Sequence, residues 1–269
     1  MASFMYSHIP QVVGVIGAGQ MGSGIAQVLA TKGLDVVISD RSTEVLDRGI
    51  ASIKKQLKRL VRKGEMAEGV ASEIVGRVRP ETALEAMKDV DFVIEAVTEN
   101  EEIKKSIFSK LDKIGMHFMN PVPVMQLVEV ARGVHTSQQT FESCKGLAEF
   151  LGKQVCTSQD RPGFLVNRVL IPMINEAFFC LMEGVGTADD IDKGMRLGTN
   201  QPMGPLRLAD FIGLDTCLSI MRVLHDGMAD SKYRPCPLLQ QYVDAGWLGQ
   251  KVGRGIYQYD NEKQQEAKH

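Results

Sequence analysis

What this chain lacks narrows its class before any motif is read. No stretch approaches the roughly 18 consecutive apolar residues that a membrane-crossing helix needs. Neither sign of charge dominates: 31 basic residues against 33 acidic leave a formal net charge of −2. That balance removes the bulk electrostatic case for a nucleic acid or an anionic membrane as partner. The five cysteines (Cys144, Cys156, Cys180, Cys217 and Cys236) form no C-x-x-C pair and have no histidine at ligand spacing. Neither a zinc site nor a disulfide framework is suggested, and the odd count fits buried or inert thiols in a reducing compartment. Residues 1–10 (MASFMYSHIP) carry no Lys or Arg, so they form neither a secretory n-region nor an Arg-rich transit peptide. The closing Glu-Ala-Lys-His is neither a peroxisomal nor an ER address. The expectation is a soluble intracellular enzyme, cytoplasmic or peroxisomal, of ordinary globular composition: 44% hydrophobic and 24% charged. A length of 269 residues suits one large domain or two modest ones.

What is there reads as alternating strands and helices. Gln11 to Ile16 (QVVGVI) is a short apolar run bounded by glycine, the pattern of a buried strand. The helical spacing of Met21, Ile25, Val28 and Leu29 follows and stops at Gly33. Leu34 to Ser39 is a second strand. From Thr43 to about Lys63 a long helix sets Val45, Leu46, Ile50, Ile53, Leu57 and Leu60 on one face and a crowd of Lys and Arg on the other. Asp91 to Ala96 is another buried strand, with a helix expected from Glu99 to about Lys113. Such alternation builds a Rossmann-type α/β fold with a doubly wound parallel sheet. Near Asp160-Arg161-Pro162-Gly163 the pattern changes to long helices. This predicts two domains, residues 1–161 and an all-helical 162–269.

Gly17-x-Gly19-x-x-Gly22 sits between the first strand and its helix, the context in which this motif signals a dinucleotide. Gly17 permits the tight turn, Gly19 lets a pyrophosphate approach the backbone, and Gly22 allows close helix–strand packing. Ala18, Gln20 and Met21 complete the turn, whose helix N-terminus offers amides to phosphate. Asp40 ends the second strand 18 residues after Gly22, placed to bind both ribose hydroxyls and repel a 2′-phosphate, so NAD is favoured over NADP. A glycine turn with no ligand is the bland alternative.

Among five histidines, His117 stands out because it closes the apolar stretch IGMHF and precedes Met119-Asn120-Pro121. The end of a parallel strand is where doubly wound folds bind ligands. Glu129, placed at the end of the strand MQLVEV, would reach His117 across two adjacent strands and hold one tautomer. It could equally be an ordinary exposed strand residue.

The segments GMHFMNPVPVMQLVEV, DRPGFLVNRVLIPMINEA, QPMGPLRLADFIGLDT and GRGIYQY, in that order, closely resemble the short-chain L-3-hydroxyacyl-CoA dehydrogenases, particularly the 3-hydroxybutyryl-CoA dehydrogenase branch. The resemblance runs from about Val12 to Tyr259. It implies an N-terminal NAD-binding domain, a helical C-terminal domain through which a homodimer forms, and reversible oxidation of an L-3-hydroxyacyl-CoA with NAD taking the hydride. On this sequence it makes His117 the general base, Glu129 its orienting partner, and Asn167 a hydrogen-bonding group near the reacting oxygen. Without it, Asn167 reads as a helix-start cap. The resemblance puts cofactor contacts on Glu99 and Lys104, Asn120 at the nicotinamide pocket, and Lys63 near a CoA phosphate. The bland alternative for Glu99, Lys104 and Lys63 is a solvated helix face. Gln56 stands where the family's serine is expected, one helical face before Lys63. A dehydrogenase of other β-hydroxyacids is the rival family, and HFMNPVP with Glu129 and Asn167 argues against it.

One departure is larger. KLDKI runs straight into GMHF, joining Lys113 to Ile114 where the family carries a loop, a strand ending in Ser-Asn-Thr-Ser-Ser, and another helix. Even without the resemblance, a helix-to-strand connection normally needs about 2–6 loop residues and none is visible here. About thirty residues, the size of one strand-plus-helix unit, are missing by this comparison. The expected consequence is a sheet short of an interior strand, with exposed edges. The pocket loses an asparagine and a serine. A catalytically impaired isoform that binds NAD(H) and dimerises is therefore the alternative to an efficient enzyme.

Overall fold

The computed structural model describes residues 9–96 and 114–259. The expected helix from Glu99 to about Lys113, and with it Glu99, Lys104 and Lys113, lies outside the described residues.

The chain divides into two units, Met1–Asp160 and Arg161–His269. In the first, β1 (Val12–Ile16) is an apolar strand buried on both faces, as the middle of a parallel sheet requires. It is followed by α1 (Gln20–Thr31), β2 (Asp35–Ser39) and α2 (Thr43–Arg62). Leu46, Gly49, Ile53 and Leu57 of α2 recur at helical spacing and are buried, while the lysines between them face water. Ser42 caps this helix by accepting the Val45 amide at 3.3 Å. Then come α3 (Glu68–Gly76), β3 (Val78–Glu81) and β4 (Phe92–Glu95). These strands form one parallel sheet in the order β3-β2-β1-β4, the doubly wound arrangement.

A second sheet contains β5 (Ile114–Phe118), β6 (Leu127–Arg132) and β7 (Gln154–Gln159), with α4 (Gln138–Phe150) between the last two. Two expectations are corrected. His117 was placed at the end of a parallel strand, yet the described partner of β5 is the antiparallel β6, because the short turn after Phe118 reverses the chain. Glu129 does not end its strand but sits third in β6. Among the described residues β4 pairs with β1 alone and β5 with β6 alone. The strands β3 and β7 and the helices α3 and α4 were not anticipated. VRPE and QVCTSQ are short and mostly unburied, so they carry no apolar run to reveal a strand.

The second unit is helical: α5 (Val166–Met182), α6 (Ala188–Gly198), α7 (Pro205–Ile212), α8 (Leu214–Met228) and α9 (Pro237–Asp244). Its core gathers Ile171, Ile174, Phe178, Leu206, Leu218 and Met221. Two buried carboxylates tie its distant segments together. Asp192 accepts the amides of Leu206 and Arg207 at 2.8 and 2.9 Å, capping α7 from outside, and the Tyr257 hydroxyl at 2.7 Å. Asp210 accepts the amides of Ile256 and Tyr257, both at 3.0 Å, and the Tyr259 hydroxyl at 2.9 Å. Among the described residues no helix is long and apolar enough to cross a membrane.

Candidate active site

The glycine turn has the shape its sequence predicts. Gly17 takes a φ of 101°, open to glycine at little cost, and its amide reaches the Ser39 carbonyl at 2.7 Å. A Cβ at Gly22 would lie 1.8 Å from the Gly17 carbonyl oxygen, so only glycine lets α1 start this close to the turn. At Gly19 a Cβ would meet nothing within 4 Å, which leaves open space in front of the first-turn amides of α1. That cradle, at a positive helix end, suits a pyrophosphate. Ala18 is buried, and its amide donates to Asp40 Oδ2 at 2.9 Å, while Asp40 Oδ1 accepts from the Ser42 amide at 3.2 Å. The carboxylate therefore braces the turn and the start of α2 together. Met21 is partly buried against the core of this unit.

His117 and Glu129 are direct cross-strand partners on β5 and β6. Their side chains therefore point to the same face, and His117 Nδ1 lies 2.6 Å from Glu129 Oε2. The carboxylate is fully buried and the imidazole side chain 27% exposed. A carboxylate accepts only, so the contact assigns the proton to Nδ1 and leaves Nε2 as the basic nitrogen. Beyond β5, Asn120 precedes a cis proline, Pro121, and its Oδ1 accepts from Gln20 Nε2 at 3.1 Å. The glycine turn and the histidine strand are thus bridged by two of the residues expected to touch the cofactor.

Other expected residues lie elsewhere. Lys63 follows α2 as its C-cap and pairs loosely with Glu65 at 3.7 Å. It does not line the cleft of about 470 Å³ between α2 and α3, whose cations are Lys54, Lys58 and Arg62 above Leu57, Val61 and Val75. Asn167 belongs to the first turn of α5 in the second unit, where Leu165 holds the N-cap position, so it is not the helix cap. Sequence reasoning missed Gly24 and Gly49. A Cβ on Gly49 would come within 2.6 Å of the Ala18 oxygen, and one on Gly24 within 3.0 Å of Val122 Cβ. A glycine inside a helix is the local signal of such an approach.

The family profile for the 3-hydroxyacyl-CoA dehydrogenase NAD binding domain matches residues 12–114 and 112–161, two stretches that meet at 112–114. The profile for the 3-hydroxyacyl-CoA dehydrogenase C-terminal domain matches residues 163–259. A 3-hydroxybutyryl-CoA dehydrogenase of Bradyrhizobium diazoefficiens is 50% identical over 281 aligned positions, which take in 93% of this chain and 96% of that protein. Since 93% of 269 residues is about 250, about thirty aligned positions face no residue of this chain. The human mitochondrial hydroxyacyl-coenzyme A dehydrogenase is 35% identical, covering 92% of this chain and 90% of that one. The crystal structure of the (S)-3-hydroxybutyryl-CoA dehydrogenase from Ralstonia eutropha superimposes with a TM-score of 0.87 at 43% identity, over 94% of this chain and all of that one. With an NAD-binding domain followed by the helical domain that completes the pair, the chain belongs to the 3-hydroxyacyl-CoA dehydrogenase family.

Proposed function

We propose that the chain interconverts an L-3-hydroxyacyl-CoA of the 3-hydroxybutyryl type and its 3-ketoacyl-CoA, with His117 as general base and Glu129 as its orienting partner. The observation that carries this is the 2.6 Å contact between a buried carboxylate and an accessible imidazole on neighbouring strands. Glu129 fixes the ring and its tautomer, and it stabilises the imidazolium once Nε2 has taken the hydroxyl proton. NAD, when bound, supplies the hydride acceptor. Gly17, Gly19 and Gly22 give it backbone room, and Gln20 and Asn120 face it from two elements. Asp40 takes the ribose while bracing Ala18. Asn167 holds the reacting oxygen. The homodimer forms through the second unit, where Val169, Leu197, Phe211 and Val223 are exposed. The acyl-CoA phosphates meet the basic end of α2, with Lys63 at its tip and Lys54, Lys58 and Arg62 on its flank.

A second reading has its own observation. Among the described residues β4 and β5 each have one strand partner, and about thirty positions of a close relative have no counterpart. Together with the Lys113–Ile114 junction, these favour a chain lacking one strand–helix unit, which binds NAD(H) and dimerises but turns over poorly. NADH oxidation by the purified chain with acetoacetyl-CoA, beside a His117→Gln variant, separates the two. Turnover that the substitution abolishes supports the enzyme. A rate no higher than that of the variant sinks it and leaves the impaired isoform.

A further inference from the structure

Lys153, between α4 and β7, is 8% exposed, an unusual place for a lysine. Among the described residues it has no ion-pair partner. Its Nζ instead donates to two main-chain carbonyls, Val122 O at 2.7 Å and Met125 O at 2.8 Å. Both belong to the turn that leads from the His117 strand to the Glu129 strand. That turn closes on itself through the amides of Val124 and Met125, which both reach the Pro121 oxygen. It is also pressed against the nucleotide helix. Val122 lies where Gly24 of α1 leaves no room for a side chain, and Asn120 accepts from Gln20.

Gly152, at φ 78°, turns the chain out of α4, and the Gln154 amide pairs with the Gln126 oxygen at 2.7 Å. Burial draws the Lys153 pKa below its ordinary value, with nearby Lys32 adding to the effect.

We propose that Lys153 is a positioning residue: it clamps the 120–125 turn against α1, so that Asn120 is presented to the nicotinamide nucleotide in a fixed register with Gln20. The part concerning Asn120 rests on the cofactor reading above; the clamp itself does not. Lys153 touches no reacting atom in this arrangement and acts through the turn.

The test uses the full chain and two readouts. Lys153→Met keeps the apolar stem and removes the ammonium, leaving two carbonyls unpaired. Hydrogen exchange at Val124 and Met125 should then accelerate at least about tenfold while the amides of β1 and β2 keep their protection. NADH affinity, from nucleotide fluorescence, should fall about tenfold, the loss expected for a hydrogen bond to a charged group. Asn120→Ala added to Lys153→Met should weaken NADH little further, because both act through one turn. If Lys153→Met does not fold, Lys153→Arg serves, whose planar fork fits two converging carbonyls less well. It should show the same losses at about twofold to fivefold, between wild type and the tenfold set by loss of the charge. Unchanged exchange at Val124 and Met125 in a folded variant overturns the clamp. Faster exchange with unchanged NADH affinity, or with independent, multiplying effects of the two substitutions, overturns the positioning role. A wild-type chain that binds no NADH fails the cofactor reading, and the exchange result still decides the clamp.

Discussion

At the scale of single residues, the proposed acid–base pair makes the sharpest prediction. Glu129→Gln keeps shape but replaces an acceptor-only group by an amide, so His117 loses its fixed tautomer. Any turnover should fall by about 10²–10³-fold, within the range that general acid–base catalysis supplies, with little change in KM. A KM that rises with kcat unchanged in steady-state assays would assign Glu129 to binding. Asp40 carries a second expectation. Because its carboxylate accepts from the Ala18 and Ser42 amides, Asp40→Ala should loosen the glycine turn as well as remove the proposed ribose partner. NADH affinity, measured by fluorescence titration, should drop by tenfold or more, since hydrogen bonds to charged groups are worth about 1.5–3 kcal/mol. The ribose role of Asp40 was suggested by its place after the second strand. Its bracing role was not, because a contact from Asp40 back to Ala18 is made by the fold and leaves no spacing to read.

At the scale of elements, the glycine turn, β1, β2 and α2 were legible because each has strong periodicity or a motif with a mechanical cause. The pairing of His117 with Glu129 was suggested by two apolar runs twelve residues apart, but not their antiparallel register, which is set by a turn whose geometry the residues do not spell out. Lys153 left no signal at all: a lysine after a glycine reads as a surface residue until its carbonyl partners are seen. Two substitutions test the elements themselves. Gly22→Ala would drive a methyl group into the Gly17 carbonyl at 1.8 Å, so α1 must shift from the turn and NADH binding should be lost while far-UV circular dichroism stays near native. At the start of β1, Asp91 accepts the amides of Gln11 and Val12 at 2.8 and 2.9 Å, which holds its carboxyl below the ordinary aspartate value. A lowered folded-state pKa gives stability that is fully present above the unfolded value and fades as pH falls through the folded one. Acid unfolding below pH about 4 should therefore be shallower in Asp91→Asn than in the parent, followed by circular dichroism.

At the scale of the whole molecule, the two units meet different fates with pH and with repair. In the second, burial first, and then hydrogen bonds to Asp192 and Asp210, push the hydroxyls of Tyr257 and Tyr259 above their ordinary pKa. Groups kept neutral by the fold stabilise it fully below their unfolded value, about 10, and lose that contribution as pH rises through the folded one. Alkaline unfolding of this unit should thus be less steep in a Tyr257→Phe, Tyr259→Phe double variant. In the first unit, inserting at the Lys113–Ile114 junction the roughly thirty residues that we propose this chain lacks should raise acetoacetyl-CoA-dependent NADH oxidation by about 10²–10³-fold if that segment supplies one preorganised polar donor. An unchanged rate would mean that the chain manages without it.

The His117–Glu129 contact lies within one hairpin and closes a loop of only twelve residues. Short loops have little entropy to lose, and local contacts form early. The proposed acid–base pair therefore belongs to a local, early-forming part of its sheet, and it assembles without waiting for any strand that precedes residue 114.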